Sequence, residues 1–584
     1  MIEDVYEPVE LYRTFFKDAH ARNTSELFEE LVKQSGIDER ANATTVKELR
    51  ALEQHVARES ASSKWWGILR VAVIVALVAS SIFVYMNYLW YWLIVPIVPL
   101  SFAIYKLNQL ISQVNLRLKD VEQKRDAKLQ EAWQQMATLN QLYDWDILSK
   151  LLVKTVPRLE LDPYFSNARL DELQENFGLD DQFNKGRSIV FVQSGVINGN
   201  PFLLVRTLDH WMGTRTYHGS LEISWTEERR NSEGKLETVR RHQTLNASVE
   251  KPFPDYENRT FIIYGNEAAP DLSFSRRPSD LSKLDDGFLN NWKKRSAIKK
   301  LEKKTRDIGE VNNFTIMANR EFDVLFGATD RNHEVQFRLL FTPLAQQEMV
   351  KLLKDKEVGY GDDFQFVKNQ MINQVEPWHM VATDIDAAPE RFRNYELAFA
   401  RKFFNDFHNN FFKSFYFGIA PLLTIPLYQQ HRSHADIYKN TQSSQSCYWE
   451  HETIAYHFGE KTFEHPECIT RSLLKTKSRT ESDNTQTIQV TAYGYKGINR
   501  TDYVSVFGGD GHHHNVAVDW VEYDDVKRDS HMVVCEKSNR PGTVDAAKSV
   551  TEDDLWEKVF NKRGVELNDV FQRRSIAAAV IPKN

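Results

Sequence analysis

The sequence predicts a membrane-anchored α+β protein: N-terminal helices, a two-helix transmembrane hairpin, a helical stalk and two mainly antiparallel β-rich cytoplasmic domains with helices. Three observations predict it. Val71 to Tyr105 is a run of 35 residues without Asp, Glu, Lys or Arg, in a chain that is 27 % charged. Near-heptad spacing follows that run, and period-two alternation with turn signals marks much of the remainder. At 584 residues and 42 % hydrophobic content the chain is neither disordered nor collagen-like. Three cysteines exclude a disulfide framework. A net charge of −7 argues against a dedicated nucleic-acid binder.

Residues 1–63 read as soluble helix on the cytoplasmic side. Leu11, Phe15 and Phe16 recur at helical spacing, and Thr24-Ser25-Glu26 resembles a capped start for Leu27, Phe28, Leu31 and Val32.

Residues 64–106 form the hairpin. As one helix the uncharged run would extend about 52 Å, against a hydrocarbon core of about 30 Å. Two antiparallel spans fit, Trp65–Met86 and Tyr88–Tyr105, turning at Asn87. Aromatic residues fall where interfaces want them: Trp65 and Trp66 at one boundary, Tyr85, Tyr88, Trp90, Tyr91 and Trp92 around the turn. Arg70, a turn inside, can snorkel outward. A re-entrant hairpin interrupted at Pro96 and Pro99, or a buried helical hairpin of a soluble domain, are the alternatives. Lys47, Arg50, Arg58, Lys64 and Arg70 precede the run, and Lys106, Arg117, Lys119, Lys124, Arg125 and Lys128 follow it. The turn carries no cation, so both flanks and both termini are expected in the cytoplasm, with the protein in the cell membrane.

Residues 107–157 read as a helical stalk ended by Pro157, through Leu107, Ile111, Val114, Leu118 and Val121, then Ala132, Met136, Leu139 and Tyr143. It either holds the C-terminal part off the bilayer or folds back on the first sixty residues or the domain. Residues 158–388 read as an α+β cytoplasmic domain. Strand-like runs 188–193 and 202–206 meet at Asn198-Gly199-Asn200, a hairpin signal. Further strands are expected at 220–225, 261–264, 322–326 and 335–341, and Thr342-Pro343 opens a helix to Lys354.

Residues 389–430 form an aromatic-rich helical connector, suited to core packing or to docking on a membrane surface. Residues 431–584 read as a second β-rich domain, with alternation at Ile454, Tyr456 and Phe458, at Ile488, Val490 and Ala492, and at Val516, Val518 and Trp520. Thr551 to Asp554 caps a closing helix.

The chain carries no phosphate loop, dinucleotide fingerprint, kinase set, nucleophile elbow or HExxH helix. No cofactor is predicted. Ten of the seventeen histidines lie between His408 and His531. Cys447, His451, His465 and Cys468 have the donor atoms that zinc takes, although their spacing matches no finger. His512 and His514 would share a face of an extended chain. Turn and surface histidines are the competing reading. Lys293, Lys294, Arg295, Lys299, Lys300, Lys303, Lys304 and Arg306 form a basic run, either a solvated helix or a site for anionic lipid. Asp362 with Asp363, and Asp384 with Asp386, read as turn residues.

Five segments carry a family likeness: Tyr164-Phe-Ser-Asn-Ala-Arg-Leu, Ser194-Gly-Val-Ile-Asn-Gly, Glu321-Phe-Asp-Val-Leu-Phe, Arg338-Leu-Leu-Phe-Thr-Pro-Leu-Ala-Gln-Gln-Glu-Met-Val and Ile425-Pro-Leu-Tyr-Gln-Gln-His. Scattered over residues 60–435, they resemble an uncharacterised family of bacterial two-span membrane proteins, of mollicute and low-GC type, with a cytoplasmic domain of unknown function. That family supplies no catalytic residues, and the resemblance implies that these motifs are structural. The expected function is a non-enzymatic membrane anchor or scaffold binding a protein partner. The alternatives are a metal-dependent enzyme in the histidine-rich region and a sensor of anionic lipid. Oligomeric state is not legible.

Overall fold

The computed structural model describes residues 6–86, 94–230, 235–282, 316–430, 445–482, 485–536, 559–561, 563–565, 570–573 and 575–581, with Ser296 and Lys299 besides. The protein mixes helices with antiparallel sheet. In chain order the helices are α1 (Pro8–Leu11), α2 (Lys17–Ser35), α3 (Glu39–Met86), α4 (Ile94–Leu142) and α5 (Asp146–Thr155). Next come α6 (Asn167–Asp171), α7 (Arg320–Phe326), α8 (Glu334–Leu340) and α9 (Pro343–Lys354). Last are α10 (Leu397–Leu423), α11 (Tyr448–His457) and α12 (Glu460–Phe463). The strands are β1 (Leu159–Leu161), β2 (Arg187–Ile197), β3 (Asn200–Arg230), β4 (Leu236–Gly265), β5 (Ser273–Arg276), β6 (Phe364–Asn369) and β7 (Ile372–Pro377). Then follow β8 (Leu473–Ser482), β9 (Thr485–Phe507), β10 (His513–Glu536), β11 (Phe571–Arg573) and β12 (Ile576–Val580). Two compact units result, one of His20–Leu148 with Ile385–Asn409, the other of Met1–Ala19, Ser149–Asp384 and Asn410–Asn584.

The helical unit is built on α3 and α4, which lie antiparallel. Gln135 donates to Thr45, Lys128 meets Glu48, Ser63 donates to Asn115 and Arg70 to Asn108, which fixes the register along their length. The helix after the hairpin therefore runs back along the helix before it. Asn42 ties in residues 394–409: its carbonyl accepts from Leu397 N at 3.1 Å and its amide donates to Tyr395 O at 3.0 Å. Phe28 and Tyr143 both pack on Phe404. Thr24 does not start a helix; it lies within α2 and its hydroxyl bonds His20 O, because the chain is already helical from Lys17.

The β unit holds two antiparallel sheets, in the orders β1-β2-β3-β4-β7-β6-β5 and β11-β12-β10-β9-β8. Asn198 and Gly199, with φ of 51° and 79°, make the predicted tight turn between β2 and β3. α11 lies in both cores: Trp449 packs with Phe165, Phe261 and Leu203, while Ile454 and Ala455 pack with Val490, Met532 and Ala578. The expected strand at Ile454, Tyr456 and Phe458 is thus a helix. Its residues 449–455 are buried all round, which erases the helical period from the sequence.

Residues 322–326 and 335–341 are likewise helices, α7 and α8, not strands. Asn319 caps α7, Gly327 closes it with φ of 72°, and His333 caps α8. Phe322 and Phe326 on one helix, Phe337 on the other and Phe341 just past its end form one ring cluster with Phe274 and Phe366. The expected helix α9 is present, with Thr342 accepting from Ala345 N.

β3 and β4 far outrun their neighbours. β2 pairs with β3 only to Asp209, and β7 pairs with β4 only over Ile262–Gly265. The remainder is a two-stranded ribbon, and β9 with β10 forms a second. A lone ribbon is marginal in water. Here Ile223, Leu245 and Ala247 of one meet Val516 and Val518 of the other, so each buries its apolar face. Lys251 adds an ion pair to Asp502 at 2.6 Å and lies over the Trp520 ring.

Candidate functional site: an apolar helical hairpin

Among the described residues one helix is long and apolar enough to cross a membrane, Glu39–Ile82 within α3, and none of its apolar window is buried. The helix pairs its backbone groups within itself, and its Leu, Ile, Val and Ala side chains add no polar group, as a lipid-facing segment requires. Trp65, Ile68, Val71, Ile74, Val75, Val78 and Ile82 are all exposed, Ile68 by 69 %. On α4, Ile97, Val98, Phe102 and Tyr105 are exposed as well, Phe102 by 62 %. Monomeric soluble surfaces rarely present so continuous an apolar patch.

Of the expected interface aromatics, Trp65 is exposed, and Trp66 is half-buried with its ring edge against Trp65. Tyr85 lies in α3; Tyr88, Trp90, Tyr91 and Trp92 lie outside the described residues. α4 supplies Ile94–Tyr105 before its first charge, Lys106. Sequence reasoning missed the polar seam of the hairpin, Ser63–Asn115 and Arg70–Asn108. Periodicity marks a polar residue in a helix but not the partner opposite it.

The histidine-rich candidates lie in several different surroundings. Cys447 is fully buried at the start of α11, where burial pushes its thiol well up. His451 is fully buried too, and burial holds it neutral by lowering its pKa to about 3. Its Nε2 lies 2.9 Å from Ser446 Oγ, and that hydroxyl donates to Glu536 Oε1 at 2.6 Å. Gln486 and the Ser446 amide donate to the same oxygen. A serine between a histidine and a glutamate has the makings of a nucleophile. Here, however, its proton goes to the carboxylate and all three side chains are buried, so the trio fastens the segment before α11 to β10, and Gln486 extends the tie to β9.

Cys468 bonds Thr470 O, and His465 Nδ1 accepts from Glu467 N. His512 is exposed in the turn before β10, and His514 pairs with Asp510 at 2.9 Å. Among the described residues no group of three His, Cys, Asp or Glu is placed to hold a metal ion. The basic run, apart from Lys299, lies outside the described residues, as do Thr551 to Asp554.

Asp362 and Asp363 have partners that the sequence hid. Asp362 pairs with Arg276 at 2.6 Å, both fully buried, and Asp363 meets both the backbone and the ring of His379. Asp386 pairs with Arg391. The aromatic run of residues 392–415 goes mostly into cores, with Phe404, Phe407, Phe411, Phe412 and Phe415 buried; Phe399 is exposed. One groove of about 470 Å³ opens in the helical unit, beside Asn42, Val46, Lys47, Arg50, Leu397 and Arg401. Its guanidiniums are already engaged, Arg50 by Glu396 and Arg401 by Glu29 and Glu39.

No family model matches the chain, and no similar curated protein or solved structure was found.

Proposed function

We propose that the protein is an integral membrane anchor or scaffold. On this reading the α3–α4 hairpin enters the cell membrane as two spans, with both termini in the cytoplasm, and the α+β remainder presents a surface to a protein partner. One observation carries the reading: among the described residues, eleven large apolar side chains from Trp65 to Tyr105 stand exposed on the paired helices. Moving them from water into hydrocarbon is worth on the order of 10 kcal/mol, enough to hold the chain in a bilayer. The spread of basic residues on both flanks supports the orientation. The test is membrane fractionation with an alkaline carbonate wash, combined with a protease-sensitive reporter after Asn584. The expected result is a carbonate-resistant pellet and a reporter protected in intact cells. Recovery in the soluble fraction after gentle lysis overturns the anchor, and cleavage outside intact cells overturns the orientation.

A further inference from the structure

The register of α3 against α4 sets the depth of every side chain along the hairpin. Arg70–Asn108 and Ser63–Asn115 place Lys106 about level with Ala72, Arg117 with Ala61 and Lys119 with Glu59. One band of the paired helices, residues 58–70 and 106–119, therefore carries Arg58, Lys64, Arg70, Lys106, Arg117 and Lys119, with Glu59 as its single acid. No ion pair among the described residues engages any of these six cations. Farther along the same helices the pattern reverses: Lys124 sits on Asp120, Arg125 on Asp126, Lys128 on Glu48 and Glu131, and Arg50 on Glu396. The band also exposes Trp65, Ile68, Leu110 and Leu116, the last by 68 %. In water the exposed tryptophan and leucines are left against solvent, while the cations, free of ion pairs, are merely hydrated. In a headgroup layer both are satisfied, the rings and leucines against acyl carbons and the cations against phosphates.

Resting on the reading of the hairpin as membrane-inserted, we propose that this band is a collar for anionic phospholipid headgroups, selecting negatively charged lipid around the hairpin. The absence of a competing acid on α4 from Lys106 to Lys119 leaves the phosphates as the counter-ions. Each cation near a negatively charged surface favours it by about fivefold.

The test uses the full chain reconstituted in mixed vesicles, with electron spin resonance of spin-labelled phosphatidylglycerol and phosphatidylcholine reporting lipid at the protein surface. The expected result is a several-fold preference for phosphatidylglycerol that shrinks between about 0.15 M and 1 M salt. Lys64→Gln/Arg117→Gln/Lys119→Gln should markedly reduce the preference, with Arg58, Arg70 and Lys106 holding what is left, while the protein still floats with the vesicles. Lys124→Gln/Arg125→Gln should retain it. Equal association of the two lipids with the unaltered chain overturns the collar and leaves the anchor standing. Failure of the unaltered chain to float with any vesicle overturns the anchor itself.

Discussion

Asp362 and Asp363 are chain neighbours in different surroundings. Asp362 is buried with Arg276, whose remaining donors bond Phe326 O and Phe364 O, while its own second oxygen accepts from Ser279 N and Ser282 Oγ. Asp363 is 31 % exposed beside His379. Removing one partner of a buried pair strands the other charge, so Asp362→Ala should cost about 3–5 kcal/mol. Asp363→Ala should cost about 1–2 kcal/mol. Thermal unfolding of the two purified variants compares them, and equal losses would refute the distinction. Sequence could not anticipate it, since Arg276 lies far along the chain and Gly-Asp-Asp reads as a turn. Two buried histidines of the helical unit set a pH response. Burial lowers His20 to about 3, with the nearby His408 adding to the effect, and lowers His408 to about 4. Below the unfolded value of about 6.5 the unfolded chain takes up protons that the folded one refuses. Stability from these groups is thus present above about pH 6.5 and lost as pH falls toward 4. His20 Nε2 bonds the His408 carbonyl, a backbone group, so His408→Leu keeps that bond and removes one titrating ring. Melting temperature between pH 7 and 5 should fall less in His408→Leu than in the unaltered protein.

At the scale of elements, legibility follows burial on one face. α9 was legible from Thr342-Pro343, and the β2–β3 turn from Asn198-Gly199, because caps and tight turns write their chemistry locally. α7, α8 and α11 were not: Phe322, Phe326, Phe337 and Phe341 make short apolar runs that alternate as well as they spiral. The informative marks were Asn319 and Gly327, one at each end. The long ribbons were half legible. Alternation at Val516, Val518 and Trp520 gives the strand, but nothing local says that its apolar face meets Ile223 and Leu245. Gly219 sits at that meeting, and a Cβ there would collide with the Ala517 carbonyl. Gly219→Val should therefore part the ribbons around residues 217–225 by forcing backbone from backbone, at about 1–3 kcal/mol locally. Hydrogen exchange should show amides of β3 and β10 near this contact losing protection while α7 to α9 keep theirs. Unchanged protection at the contact would mean that the ribbons do not depend on each other.

At the scale of the whole molecule, the exposed apolar run was the clearest mark in the sequence, since a stretch without charge needs no partner to be recognised. The helical unit was harder to foresee because it joins His20–Leu148 to Ile385–Asn409, two stretches separated by more than two hundred residues. The join is specific. Asn42 bonds the backbone of Tyr395 and Leu397, Asn140 bonds that of Asn394, Arg401 spans Glu29 and Glu39, and Phe392 and Phe404 pack on Tyr143. Asn42 and Asn140 are almost fully buried by it. Without residues 385–409 these amides would lose their backbone partners, and Phe28 and Tyr143 would lose their cover. Each unpartnered buried amide costs about 1–3 kcal/mol, and each large apolar side chain returned to water about as much. A chain ending at Asp384 should therefore expose α2 and the C-terminal half of α4 to protease, even in detergent. Adding a peptide of residues 385–409 should restore protection near residues 24–46 and 128–143. Protection that is full without the peptide would show that α2, α3 and α4 suffice for each other.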